Sequence, residues 1–131
     1  MFRWFSKKTA PLSGAPPVRR QKTYSAQSGF VYQYFYEGHR PMASQRGTEY
    51  VFNVSSDRKT SSPVSVFVTD DAVLRWQQES GRMLSATEQY AIAKMALFQA
   101  FDERESPEAM RAAVHVGSDD ARAILASLNI D

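Results

Sequence analysis

The 131-residue chain contains no cysteine. That excludes disulfide scaffolds, thiol catalysis and thiolate metal sites together. Glycine is scarce, with six residues in all, and none of them forms a GxGxxG or GxxxxGK[ST] phosphate cradle. There is no GxSxG nucleophile elbow either. The two histidines, His39 and His115, have no short-spaced partner that would make a metal motif, and nothing calls for a cofactor or a metal. No apolar run reaches the 18 or more residues a membrane-spanning helix needs. The apolar core of a secretory signal is missing as well, because Lys7 and Lys8 follow directly on Phe5 and Ser6. A reducing cytoplasm is the simplest expectation, with contact at a membrane face as a variant of it.

What the chain does have is distributed unevenly. Its net charge of +2 conceals a split. Residues 1–23 carry Arg3, Lys7, Lys8, Arg19, Arg20 and Lys22 and no acid, which is +6, while the remainder carries ten basic against fourteen acidic residues, which is −4. Such asymmetry marks an interaction arm. The same segment opens with Phe2, Trp4 and Phe5 and continues into a stretch from Thr9 to Pro17 that holds three of the six prolines. Proline removes backbone donors and keeps its neighbour out of the helical region, so this stretch reads as an extended linker. The expected organisation is a basic aromatic tail and linker over 1–22 and a single domain over 23–131.

From Gly29 the pattern becomes period two. Phe30, Tyr32, Tyr34 and Tyr36 fall on one face and Val31, Gln33, Phe35 and Glu37 on the other, a strong strand signal. Gly38-His39-Arg40-Pro41 is expected to end that strand. A second follows over Thr48–Ser55, and a third contains Val64, Val66 and Val68, with Pro63 at a tolerated starting position. Connections of this length favour antiparallel pairing, because parallel strands need a longer crossover.

Thr69-Asp70-Asp71 supplies a cap and negative charge for a helix that Gly81 stops. Ser85-Ala86-Thr87-Glu88 has the form of a capping box and opens the longest helix, Ala86 to Glu103. Ser106-Pro107-Glu108 restarts a third helix ending near His115. Gly117 to Asp120 introduces a last one with an apolar stripe at Ala121, Ile124, Leu125 and Leu128. Strands first and helices afterwards predict an α+β fold: a three-stranded antiparallel meander followed by three to four helices, the longest packed on the sheet.

Few residues carry candidate chemistry. His39, with Glu37 and Arg40 beside it in sequence, could serve as a general base or an anion site, or be a solvated loop residue. His115 at a helix end answers the dipole alone, and so do Asp70-Asp71 and Asp119-Asp120 at helix starts. Tyr32, Tyr34 and Tyr36 could stack nucleic-acid bases or form the face on which the long helix packs. The polar character of the opposite face favours burial. Asn53-Val54-Ser55 matches a glycosylation pattern but falls inside a strand.

The tail is the feature that points to function. Phe2, Trp4 and Phe5 with Arg3, Lys7 and Lys8 suit docking into a partner protein, where aromatics and arginine dominate binding energy. Insertion at an anionic membrane surface is another use, and folding back on the domain's own core a third. The reading favoured is a non-enzymatic interaction module or accessory subunit with a protein partner. A nucleic-acid-associated protein using the basic arm is the alternative, and a small enzyme around His39 a further one.

Overall fold

A computed structural model describes residues 10–131. Its framework is a five-stranded sheet in sequential order: β1 (Lys22–Ser25), β2 (Val31–Pro41), β3 (Gly47–Ser55), β4 (Ser62–Thr69) and β5 (Val114–Val116). The first four pair antiparallel, and β5 lies parallel to β4. The expected three-stranded meander is therefore too small. It is extended by a polar strand at one edge and by a short parallel strand at the other. The coarse class α+β holds, since the helices follow the meander in α1 (Asp70–Ser80), α2 (Ala86–Glu103) and α3 (Ser118–Ser127).

The two missed strands have physical reasons. β1 reads Lys-Thr-Tyr-Ser, with one apolar side chain in four. Its order comes from its register with β2 and from Tyr24, whose ring stacks on Phe98 of α2 at 4.4 Å. The segment expected to be a third helix keeps its proline start but runs only as a 3-10 turn, Pro107–Arg111. Arg104 then takes over. Its guanidinium donates to the carbonyls of Ala109, Ala112 and Ala113 at 2.9, 2.6 and 2.9 Å. Those bonds hold the backbone extended, so Val114 and Val116 enter the core and His115 faces outward.

Local signals were obeyed elsewhere. The Thr69 hydroxyl accepts from the Ala72 amide, and Gly81 closes α1 in the left-handed region at φ 77°. The capping box at α2 is complete. The Glu88 amide donates to the Ser85 hydroxyl at 3.1 Å, and the Ser85 amide donates to the Glu88 carboxylate at 2.9 Å.

All three helices contribute to one core on one face of the sheet. Tyr32, Phe52, Val64 and Val66 meet Ile92, Leu97 and Phe101 of α2 there, with Trp76 of α1 and Ile124 and Leu125 of α3. Tyr32 stacks on Phe101 at 4.3 Å. The tyrosine side of β2 is thus the helix-covered side, with Tyr32 and Tyr34 buried. No helix among the described residues is long and apolar enough to cross a membrane.

Candidate binding surfaces at the edge and open face of the sheet

β2 does not end at Gly38. It continues to Pro41, and the four residues expected to close it instead create a bulge. Tyr36 pairs with Phe52 and Gly38 with Val51, which leaves Glu37 as the extra residue. Gly38 stands at φ +130°, where side chains are strained. The bulge changes the parity of the strand, so His39 joins Tyr36 on one face and Arg40 joins Glu37 on the other.

The grouping Glu37, His39 and Arg40 is consequently divided by the sheet. Glu37 turns to the helix-free face, where Arg19 pairs with it at 3.2 Å and the Asn53 amide donates to it at 3.3 Å. Arg40 lies on the same face and grips Glu49 with two bonds of 3.0 and 3.2 Å. Glu49 also accepts from Ser65. Burial raises the Glu49 carboxyl, but its bonds to Arg40 and Ser65 outweigh that and hold it below the usual carboxylate range. His39 is on the helix side, its Nδ1 3.0 Å from the Tyr36 hydroxyl and its ring beside Tyr50. The structure brings His39 together with phenols rather than with a carboxylate. Burial pushes Tyr36 well above the ordinary phenol value, helped by Tyr50 and Tyr90.

The sheet edge beside His39 is shaped by the N-terminal chain. Ser13 exchanges both backbone bonds with His39, at 2.9 and 2.8 Å. Two adjoining clefts of about 360 and 410 Å3 share Gly14, Tyr36 and Tyr90, the first of them between that bridge and β1. The first is roofed by Pro16 and Val18, and the second reaches His39, Tyr50 and the first turn of α2.

The opposite face of the sheet carries half-buried Phe35 and Phe67, with His115 stacked on Phe67 at 5.3 Å. Val51 is buried there, outside the main core. A small cleft of about 120 Å3 is lined by Gln33, Phe35, Asn53, Arg58 and Lys59. Two amide oxygens, Gln33 Oε1 and Asn53 Oδ1, are buried in that region without a donor among the described residues. The Arg40 guanidinium also reaches the carbonyl of Ala10 at 3.5 Å. Residues Phe2, Arg3, Trp4, Phe5, Lys7 and Lys8, the expected partner-binding positions, lie outside the described residues.

Among the described residues no cluster of three or more His, Asp or Glu could hold a metal. The clefts at the sheet edge were not foreseen, although Pro16, Val18, Arg20 and Lys22 fall at alternate positions and so were readable as one face of an extended segment. No family model matches the chain, and neither does any curated protein or solved structure. The functional reading therefore rests on these surfaces.

Proposed function

We propose that the protein is a non-enzymatic interaction module: a rigid α+β body that docks onto a protein partner through its aromatic, basic N-terminal segment. The observation that carries this reading is the Ser13–His39 backbone bridge, continued by the Arg40 contact to Ala10. It ties the root of the arm to the edge strand of the sheet, at the rim of the helix-free face that Arg40 shares. An arm rooted there can act together with the helix-free face, which offers half-buried Phe35 and Phe67 as aromatic anchors and a cationic rim at Arg58 and Lys59. The separation of His39 from Glu37 and Arg40 supports binding over catalysis, because it leaves the ring beside phenols with no carboxylate among the described residues to stabilise a protonated imidazole.

The test compares residues 1–131, residues 10–131 and the triple change Phe2→Ala, Trp4→Ala, Phe5→Ala in affinity purification from the native cell. A stoichiometric protein lost from both altered forms, at an unchanged melting temperature, supports docking. A lower melting temperature for the triple variant would instead make these side chains part of the core.

A second reading is favoured by the same face. Phe35, Phe67 and His115 could stack the bases of a single strand while the arm neutralises phosphates. It requires affinity for single-stranded oligonucleotides that falls steeply with salt and disappears without residues 1–9.

A further inference from the structure

From Ser13 to Lys22 the N-terminal chain advances nine positions, while β2 between their partners His39 and Tyr34 advances five. The surplus bows away from β2 as a strap containing Pro16 and Pro17, pinned at both ends by backbone pairing. The edge of β2 from Phe35 to Gly38 has no ladder partner on that side among the described residues. The space beneath the strap is the 360 Å3 cleft, and its floor is aromatic: Tyr34, Tyr36 and Tyr90. Alternate strap residues face into it, first Pro16 and Val18, then Arg20 and Lys22.

The rim is cationic and uncompensated. Lys94 sits one helical turn beyond Tyr90 on α2, its ammonium 5.7 Å over the Phe98 ring, and Phe98 packs edge-on against Tyr34 at 5.5 Å. Tyr34 is the cross-strand partner of Lys22. The two lysines are therefore linked through the Tyr34–Phe98 pair. Partial burial and the nearby Lys22 lower the basicity of Lys94. Five other cations are neutralised: Arg19, Arg40, Arg75, Arg82 and Arg122 each have a carboxylate within 4 Å. Arg20, Lys22 and Lys94 have none among the described residues, and residues 1–9 contain no acid that could supply one. Two ammonium groups brought together beside an apolar wall repel one another, and a single bound negative charge reverses the sign of that interaction.

We propose that the strap cleft binds an organic anion with an apolar ring-bearing body. Its carboxylate or phosphate sits between Lys22 and Lys94 with Arg20 at the rim, and its body lies against Tyr34, Tyr36 and Tyr90 under Pro16 and Val18. Aromatic walls favour a planar body through offset stacking, and a cavity of this size holds a ligand of drug-like dimensions or smaller. The site goes beyond the docking role, and the residues assigned to it all follow Gly14 in the chain.

The experiment titrates the full chain with four probes: 2-naphthoate, 2-naphthyl phosphate, 2-naphthalenemethanol and inorganic phosphate. Binding is followed by calorimetry and by backbone amide shifts. The expected result is that at least one naphthyl anion binds ten times or more tighter than the neutral alcohol or inorganic phosphate. Shifts should concentrate at Val18, Tyr36 and Tyr90, and whichever anion is preferred identifies the head group. Lys22→Gln, at an exposed position, and Lys94→Gln should each weaken binding about tenfold, as the loss of a charge-assisted hydrogen bond does. The proposal is overturned if the alcohol binds as well as the anions, if both substitutions leave affinity unchanged, or if no naphthyl anion binds.

Discussion

The Tyr36 hydroxyl and His39 Nδ1 lie 3.0 Å apart, although residues three apart in a regular strand face opposite sides of the sheet. The extra residue, Glu37, makes the contact possible, and Gly38 makes the extra residue possible. One backbone irregularity thus sets the direction of His39 and the position at which the N-terminal chain is tied to the sheet.

Gly38→Ala tests that dependence. A Cβ at this position would stand 2.7 Å from the Ser13 carbonyl oxygen in a conformation that side chains rarely adopt. The substitution should cost roughly 1–3 kcal/mol, the range for a residue forced into a sparsely populated backbone region. Urea unfolding measures the loss, and amide exchange at Ser13 should accelerate with it. An unchanged midpoint together with a protected Ser13 amide would contradict this account of the bulge.

Alkaline pH offers a second test. All six tyrosines, at positions 24, 32, 34, 36, 50 and 90, have phenols raised above the ordinary value of 10.0, each chiefly by burial. A phenol raised by folding holds its proton more tightly in the folded state than in the unfolded chain. Its contribution is complete below pH 10 and is lost as pH climbs above that value. Stability should therefore decline steeply above pH 10. Phenolate absorbance at 295 nm should appear together with unfolding rather than before it. Smooth titration of several tyrosines in the folded protein near pH 10 would be inconsistent with their environment.

Acid acts through Glu49. Its carboxyl is depressed below the ordinary value of 4.5, so its contribution is present above that pH and drains away as pH falls. Glu49→Gln should cost about 3–5 kcal/mol at neutral pH, because it leaves the Arg40 guanidinium without its counter-charge in a largely buried pair. The difference between wild type and variant should narrow below pH 4.5. Glu88, held down to about 2 first by Arg82, titrates in both proteins and cancels in the comparison. A difference that stays constant down to pH 2 would show that Glu49 acts through packing alone.

Arg104 is the residue on which β5 depends. Arg104→Lys keeps the charge but replaces a planar fork by a point donor, so it should fail to hold the carbonyls of Ala109, Ala112 and Ala113 together. The expected outcome is faster amide exchange in Val114–Val116, with the first four strands still protected. Uniform loss of protection would mean that the bonds stabilise the whole domain instead.

Much of this architecture was legible wherever a local signal coincided with a long element. The alternation at Tyr32, Tyr34 and Tyr36, the Ser85–Glu88 box and the Thr69 cap each act within a few residues. The structure reproduces the elements they specify, including α2 from Ala86 to Glu103. What was hidden depends on distant partners. Val114-His115-Val116 is too short to show a period, and its identity as a strand comes from Val66 and Val68 in β4. The Gly38-His39-Arg40-Pro41 segment carries every mark of a turn and becomes a strand because β3 supplies a partner as far as Thr48. Lys22 and Lys94 were missed as a pair for the same reason: only the fold brings their positions together.

The parallel seam between β4 and β5 has a consequence for how the chain assembles. β1 to β4 are joined by short hairpins, whose closure is fast, whereas Val68 must wait for Val116, with two helices synthesised between them. Until then one border of β4 is an unpaired strand edge rich in valine, the kind of surface that recruits other chains. Connectivity therefore orders folding, with the seam formed last. Pulse-labelled hydrogen exchange during refolding should show Val114–Val116 acquiring protection after Tyr50–Val54. Simultaneous protection would point to a single concerted step, and conditions that slow docking of β5 should be those under which the protein self-associates.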